Sequence, residues 1–580
     1  MASLAFAQPK ATLARPASRV LVDQLLIHGV TQVFCVPGES FLGVLDALRD
    51  CEIAVTVCRN EGGAAMMAEA VGKATGRPGV CFVTRGPGAT NAAAGIHIAR
   101  QDSTPMIMFV GQVDLAVRER EAFQELDYRA VFSSMTKWTT EIEDARRIPE
   151  LVSRAFYTAT AGRPGPVVVA LPRDVLMQPV ETEDAPAFQE VEASPGAEEM
   201  AKLEALLAQA KRPVLIVGGS RWDETASAAV ARFAQRFCLP VVTSYRRAPL
   251  FDALDPCYAG DLGIGANPKL IERLQRADLV IALGGRLNEI ASQNYALFEI
   301  PGPKTKLVHI YPGAEEIGRV YSPHLAILAS PRRAAAELDV LRPAGPPAWR
   351  HETPEAHLSY LRWSETPTPQ PGAVNLGAIM VWLRGKLPAD AVLCSGAGNY
   401  AAWIHRFYRF RRFGTHFAPV SASMGYGVPA AVAIKRLNPE REVISISGDG
   451  DFLMNGQEFA IAVQYGLPIV FLIFDNAMYG TIRMHQEREF PGRPVATELK
   501  NPDFAALARA YGGFGATVET TAQFPAAFEA AQASGMPAIV HVRFDADGAT
   551  PAKTLSGIRS EAQARAIGTR ARTDKGARTF

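Results

Sequence analysis

The stretch Glu442-Val443-Ile444-Ser445-Ile446-Ser447-Gly448-Asp449-Gly450, read together with Asp475-Asn476 further on, decides the fold of this chain. The β-rich run before Gly448 is apolar at alternate positions and predicts a strand. Two glycines then let the backbone approach a phosphate with no Cβ in the way. The pattern from Asn455 to Tyr465 predicts a helix stopped by Gly466, and the apolar run from Leu467 to Phe474 predicts a second strand. Such a strand–helix–strand crossover is right-handed and returns its second strand parallel to the first. Asp449 and Asn476 then fall at the same carboxyl edge of one sheet, where open α/β folds bind ligands. A carboxylate and an amide oxygen side by side are hard ligands that suit Mg²⁺, with phosphates and water completing the shell.

An Asp-Gly pair after a strand is by itself more often a plain turn than a metal site. Asn455 and the Asp475-Asn476 pair at the next strand end shift the balance to a metal-diphosphate grip. The pattern is not a dinucleotide fingerprint, because Leu453 stands where G-x-G-x-x-G needs its third glycine.

Gly448-Asp449-Gly450 with Asp475-Asn476 resembles the cofactor motif of thiamine-diphosphate enzymes. From about Ala17 to about Asp547 the chain is similar to the acetolactate synthase, pyruvate oxidase and oxalyl-CoA decarboxylase group. The resemblance is carried by Val36-Pro37-Gly38-Glu39, Arg59-Asn60-Glu61, Gly86-Pro87-Gly88-Ala89-Thr90-Asn91, Ala122-Phe123-Gln124-Glu125 and Met424-Gly425-Tyr426-Gly427, in that order. It implies an α/β protein of three doubly wound parallel-sheet domains: pyrimidine-binding, central and diphosphate-binding.

The resemblance also implies roles. Glu61 matches the glutamate that hydrogen-bonds the aminopyrimidine ring of thiamine diphosphate, where an exposed carboxylate at a helix start would be the plainer reading. Met424 resembles the residue that props the cofactor in its bent shape, although a lone methionine is more often core. The backbone near Ala422 and Met424 faces the pyrimidine edge. Gly38, Pro87 and Asn91 belong to the cofactor motifs of the first domain. Gly398, Asn399, Gly448, Gly450 and Gly480 contact the diphosphate. Asp449, Asn476 and the carbonyl of Met478 are the expected metal ligands. Phe123 and Gln124 resemble residues on the substrate side, and His485 is a further candidate there; His97 is held with it, each weighed against an ordinary surface or core histidine.

Bulk properties agree with an enzyme of this size. The 580 residues suit three domains rather than one core. With 48% hydrophobic and 21% charged residues and a net charge of +1, nothing favours nucleic acid or a membrane surface. No apolar run is long enough to cross a bilayer. The seven cysteines form no C-x-x-C pair, which predicts reduced core residues in a cytoplasmic protein.

Strand and helix patterns alternate along the chain. Strands are expected at 32–36, 53–58, 80–84, 106–111, 213–218, 240–243, 279–284 and 306–311, and helices at 41–49 and 62–76. The expected organisation is a flexible lead-in over 1–14, a pyrimidine-binding domain over 15–182, a central domain over 195–342, a diphosphate-binding domain over 373–550 and a solvated tail over 551–580. Linkers are expected at 180–197 and, from its prolines, at 342–372.

The implied activity is thiamine-diphosphate- and Mg²⁺-dependent decarboxylation of a 2-oxo acid, with transfer of the acyl unit to an acceptor, as in an acetolactate synthase-like carboligase. The alternatives are a non-ligating decarboxylase, oxidase or acyl-CoA lyase of the same family, and a cofactor-binding regulatory protein without catalysis. Retention of Glu61 speaks against the last. The expected partners are small-molecule substrates and further copies of the chain, in a homodimer or homotetramer with shared active sites. The chain departs from the pattern in two places. Asp475 stands where the family usually has asparagine, and His485 and Thr481 stand where biosynthetic acetolactate synthases carry tryptophan and methionine, which leaves the acceptor open. FAD also stays open: Gly284-Gly285-Arg286 resembles a flavin-contacting turn, whereas Gly260 to Gly265 departs from the usual flavin-binding sequence.

Overall fold

The computed structural model describes the backbone of residues 14–576 and the side-chain surroundings of residues 14–565. The expected lead-in lies, except for residue 14, outside the described residues. The chain divides into two units, the first ending at Val191 and the second beginning at Glu192, with Gln101–Ser103 grouped with the second.

The first unit is built on a six-stranded sheet of Gln32–Cys35 (β1), Ala54–Val57 (β2), Gly79–Val83 (β3), Met106–Gln112 (β4), Trp138–Glu141 (β5) and Pro166–Pro172 (β6). Its order is β2-β1-β3-β4-β6-β5, and every pairing is parallel. Strands β3, β4 and β6 are buried along their whole length, as near-continuous Val, Phe and Met runs require when helices cover both faces of a parallel sheet. Helix α1 (Glu61–Thr75) follows β2, and α2 (Pro87–Asp102) follows β3. The chain leaves β1 towards one edge and returns to β3 on the other side. The crevice between the carboxyl ends of β1 and β3 is therefore a topological switch point.

The second unit holds two more six-stranded parallel sheets. The central one contains Pro213–Val217 (β7), Val241–Ser244 (β8), Tyr258–Leu262 (β9), Leu279–Leu283 (β10), Lys306–Tyr311 (β11) and Leu325–Leu328 (β12), in the order β9-β8-β7-β10-β11-β12. Its switch point lies between β7 and β10. There Gly219, at φ +73°, runs so close to the Gly284 carbonyl that a Cβ would lie 1.7 Å from it. Residues 342–372 are more than a linker. They contain helix α3 (Glu352–Glu365), whose Thr353, Ala356 and Tyr360 are buried. The prolines that suggested a linker lie outside this helix except Pro354, in its first turn, where the ring costs no hydrogen bond.

The third sheet contains Val392–Ser395 (β13), His416–Phe417 (β14), Val443–Gly448 (β15), Val470–Asp475 (β16), Phe514–Val518 (β17) and Ala538–Arg543 (β18), in the order β14-β13-β15-β16-β18-β17. The switch point lies between β13 and β15. Helix α4 (Asp449–Asn455) starts at once after β15, six residues before the expected helix start at Asn455. Gly448 caps it, and Asp449 and Asp451 in its first turn suit the positive end of the helix dipole. A 3₁₀ turn, Gly456–Glu458, and a short helix, Phe459–Gln464, complete the crossover before Gly466 turns at φ +60°. Helix α5 (Gly480–Glu489) follows β16.

The expected solvated tail is corrected. Residues Leu555–Gly576 form helix α6. Leu555 and Ile558 are buried in one cluster with Met484 and Ala549, so an apolar face hidden in a mildly basic sequence docks the helix on the third domain. All seven cysteines are free thiols, five of them buried.

Candidate active site

In the second unit, β15 and β16 deliver two loops to one edge. Asp449, only 3% exposed, is the first residue of α4. Its Oδ2 accepts hydrogen bonds from the Met478 N–H (3.2 Å) and from Asn501 Nδ2 (2.7 Å). After β16, Asn476, Ala477 and Met478 make a tight turn in which Ala477 takes φ +56°, a left-handed conformation unusual for alanine. Asp475 shapes that turn by accepting the Ala477 N–H at 2.8 Å. Its other contacts are His541 Nε2 (2.8 Å) and Asn501 Nδ2 (2.8 Å). Asp475 is thus occupied within the protein, and Asn476 follows it at the strand end.

The electrostatics separate the two carboxylates. Burial pushes Asp449 up to about 6, helped by the neighbouring charge of Asp475 and opposed by the Asn501 hydrogen bond. For Asp475 burial is the largest single influence and also raises it. The hydrogen bonds from His541, Ala477 and Asn501 outweigh burial and leave Asp475 below the usual carboxylate range. A buried carboxylate raised in this way is short of a cation. Asp449, the Asn476 amide and the Met478 carbonyl line one cavity and could offer it hard oxygen donors of the kind Mg²⁺ takes alongside phosphate and water. Among the described residues no group of three or more His, Cys, Asp or Glu side chains could hold a metal, so such an ion would depend on this mixed set.

Two further loops meet at Asp451, a residue the sequence reading missed. It is fully enclosed, and its Oδ1 accepts the Gly425 N–H (2.7 Å) and the Ala397 N–H (3.3 Å). Its Oδ2 accepts the Tyr400 hydroxyl at 2.7 Å. This knot positions the Gly398–Asn399 loop at the end of β13 and the Met424–Gly425 turn. Ala422 in that turn is left-handed at φ +52°. Asn399 also accepts from the Thr481 hydroxyl (2.9 Å), which ties the loop to the start of α5 beside Gly480. A cavity of about 720 Å³ opens here. It is lined by Gly398, Asn399, Ala422, Met424, Gly448, Asp449, Gly450, Asn476, Met478, Gly480 and His485, so the structure gathers every predicted residue of this unit. Arg246, also missed, lines it too. A second cavity, about 660 Å³ at the amino-terminal edge of the central sheet, contains none of the motif residues.

The first unit gathers the other set. Glu61 is the first residue of α1 and is buried; Asn60 caps the helix by accepting the Gly62 N–H at 2.8 Å. Glu61 Oε2 accepts from Asn91 Nδ2 at 3.0 Å. The space beside Oε1 is kept by Gly88, where a Cβ would lie 3.2 Å away. Gly38, after β1, packs so tightly on Thr84 that a Cβ would lie 2.5 Å from it, and Pro87 opens α2. Gln124 is left-handed at φ +64°, against Gly86. Arg85 pairs with Glu39 and donates to the Phe123 carbonyl (3.1 Å), while the Phe123 ring is 74% exposed. His97 is exposed on α2.

Comparison with known proteins agrees with this geometry. The "Thiamine pyrophosphate enzyme, N-terminal TPP binding domain" profile matches residues 15–131, the central-domain profile residues 200–338 and the C-terminal TPP binding domain profile residues 396–542. The chain is 32% identical to an acetolactate synthase large subunit of Parasynechococcus marenigrum, over 90% of this chain and 87% of that protein. It is 31% identical to the acetolactate synthase isozyme 2 large subunit of Escherichia coli, covering 90% and 95% of the two chains. To the acetolactate synthase of Bacillus subtilis it is 28% identical over 93% and 95%.

Proposed function

Since the chain belongs to the thiamine pyrophosphate enzyme family, in the group of acetolactate synthase relatives, we propose that it is a Mg²⁺-dependent carboligase that decarboxylates a 2-oxo acid such as pyruvate and passes the acyl unit to an acceptor. The observation that carries this reading is the buried Asp449 carboxylate at the switch point of the third sheet, beside Asn476 and Met478. When bound, thiamine diphosphate supplies a thiazolium that stabilises a carbanion.

The protein's part is binding, orientation and proton holding. Asp449, Asn476 and the Met478 carbonyl are assigned to the metal. Gly398, Asn399, Gly448, Gly450 and Gly480 are assigned to the diphosphate, with the amino end of α4 favouring its negative charge. Gly450 packs so closely on the Tyr479 ring that a Cβ would lie 2.6 Å from it. Ala422 and Met424 are assigned to the pyrimidine edge, with Gly38, Pro87 and Asn91 from the first unit. Glu61 is the proton-holding residue: Asn91 fixes Oε2, which leaves Oε1 to exchange a proton with a ring nitrogen. Phe123 and Gln124 are assigned to the substrate side.

His485 and Thr481 line the cavity at positions where biosynthetic acetolactate synthases usually carry tryptophan and methionine, which favours an acceptor other than a second pyruvate. A flavin nucleotide stays open in this reading: the turn Gly284-Gly285-Arg286 resembles a flavin-contacting one, and release of a yellow chromophore from the denatured protein decides whether the central domain holds it or stands empty. The reading further assigns a homodimer or homotetramer, in which two chains share each site, to the cytoplasm. Light scattering that showed active monomers would exclude the shared site. A screen of 2-oxo acids and acceptors with mass-spectrometric identification of products tests the reaction. Absence of carbon dioxide release from every 2-oxo acid would overturn it.

A further inference from the structure

Arg246 follows β8 of the central sheet and lines the cavity that also holds Asn399, Tyr400 and Asp449. It is 2% exposed, and its Nε and Nη1 are buried without a hydrogen-bond partner. Its backbone is left-handed, at φ +58°, which a long side chain rarely adopts. Strain of this kind persists where the surrounding structure enforces it and collects at ligand sites. The Tyr245 ring lies against the guanidinium, 5.1 Å from its centroid.

A guanidinium stays charged in proteins, and a buried charge without a partner is costly. The acids around the cavity do not supply one. Asp451 is taken by Tyr400, Gly425 and Ala397. Asp449, which accepts from Asn501 and Met478 through Oδ2, is assigned to the metal. Asp261 pairs with His405 at 3.1 Å, and Glu289 is exposed at the rim. None of these acids hydrogen-bonds Nε or Nη1, which leaves those two donors open to an anion of a bound molecule. The phosphate-binding features of the cavity, with their glycines and helix amino end, are on the third domain, whereas Arg246 comes from the central domain. Its planar fork matches a planar carboxylate through two parallel hydrogen bonds.

We propose that Arg246 is a specificity-determining residue that binds the carboxylate of a reacting acid, donor or acceptor, in this cavity. The proposal rests on the reaction assigned above for the identity of that acid, but its test does not. The protein saturated with thiamine diphosphate and Mg²⁺ is titrated with oxamate, an unreactive planar analogue of pyruvate, and separately with inorganic phosphate. Thermal unfolding is followed for wild type, Arg246→Met and Arg246→Lys. Oxamate is expected to raise the wild-type midpoint. Arg246→Met, free of the unpaired charge, is expected to unfold no lower than wild type without ligand and to bind oxamate on the order of 30-fold or more weaker. Arg246→Lys, with one point of contact in place of two, is expected to fall between them.

An oxamate shift that persists in Arg246→Met, or no shift in wild type, overturns the proposal. So does an Arg246-dependent response to phosphate alone. If Arg246→Met fails to fold, the Lys variant decides: oxamate binding equal to wild type counts against the fork. Arg246-dependent oxamate binding without turnover of any 2-oxo acid would sink the reaction and leave this inference standing. Turnover with an unchanged KM in Arg246→Met would do the reverse.

Discussion

The Glu487 carboxylate receives both arms of the Arg559 guanidinium, at 2.8 Å and 2.6 Å, across 72 residues of sequence. Glu487 lies on α5, whose first residues carry Gly480 and Thr481 to the cavity, and Arg559 lies on α6. Arg483 and the Gly492 N–H also contact the same buried carboxylate. The Arg559 hydrogen bonds, more than any other contact, hold Glu487 down to about 2.

Arg559→Met should therefore loosen α6, read as faster amide exchange over residues 555–565. A carboxyl with a depressed folded pKa contributes stability above its unfolded pKa and loses it as pH falls towards the folded value. The stability gap between wild type and variant, about 1 kcal/mol because Arg559 is partly solvated, should shrink as pH falls from about 4.5 towards about 2. A gap independent of pH would show that Arg559 acts through packing alone.

Asp449→Ala should abolish thiamine-diphosphate binding, because it removes the only carboxylate of the assigned metal set. Titration calorimetry in excess Mg²⁺ measures this. Unchanged affinity would place the metal elsewhere. A chelator should release the cofactor from the wild type in the same assay.

Glu61→Ala should keep cofactor affinity near that of the wild type yet lower turnover about 10²–10⁴-fold, the usual range for loss of a proton-transfer group. On the proposed reading, affinity comes mainly from the diphosphate grip assigned to the second unit, whereas Glu61 belongs to the first. Near wild-type turnover at cofactor saturation would remove Glu61 from the mechanism.

His28 should make the first unit sensitive to mild acid. Its Nδ1 accepts the Phe188 N–H at 3.1 Å, which a proton on that nitrogen would break. Burial, aided by the charge of Arg77, lowers it to about 4. The unfolded chain then binds more protons than the native one, so stability should be whole above about pH 6.5 and decline towards pH 4, by on the order of 2–3 kcal/mol. His28→Gln should flatten that slope in thermal melts. An equal slope in the variant would assign the acid sensitivity to other groups.

His485→Trp should shift the products towards acetolactate, and His485→Ala should weaken selectivity for polar acceptors. An apolar wall separates acceptors differing by a methylene by only about 1–3 kcal/mol, while a hydrogen-bonding one separates more. Product ratios that stay the same in both variants, with every acceptor tried, would show that His485 does not shape the pocket.

What the sequence by itself determined is local. β-branched runs with glycine directly after them mark strand ends, so the strand-end places of Gly448, Asp449 and Asn476 were legible together with the three-domain α/β plan. Two local readings erred for the same reason, that composition does not report what a segment packs against. The proline-rich stretch 342–372 hides α3, and the basic segment after Thr554 hides the face of α6 that covers Met484. What only the tertiary structure decided is which distant groups meet. Asp451 joins the loops of Ala397, Tyr400 and Gly425, and His541 and Asn501 occupy Asp475. Arg246 is left in the cavity with Nε and Nη1 unpaired. These meetings follow from strand order, since β15 lies between β13 and β16 and β18 lies beyond β16. Strand order is set by long-range pairing of buried strands, and the residues at their ends carry no local periodicity that would announce their neighbours.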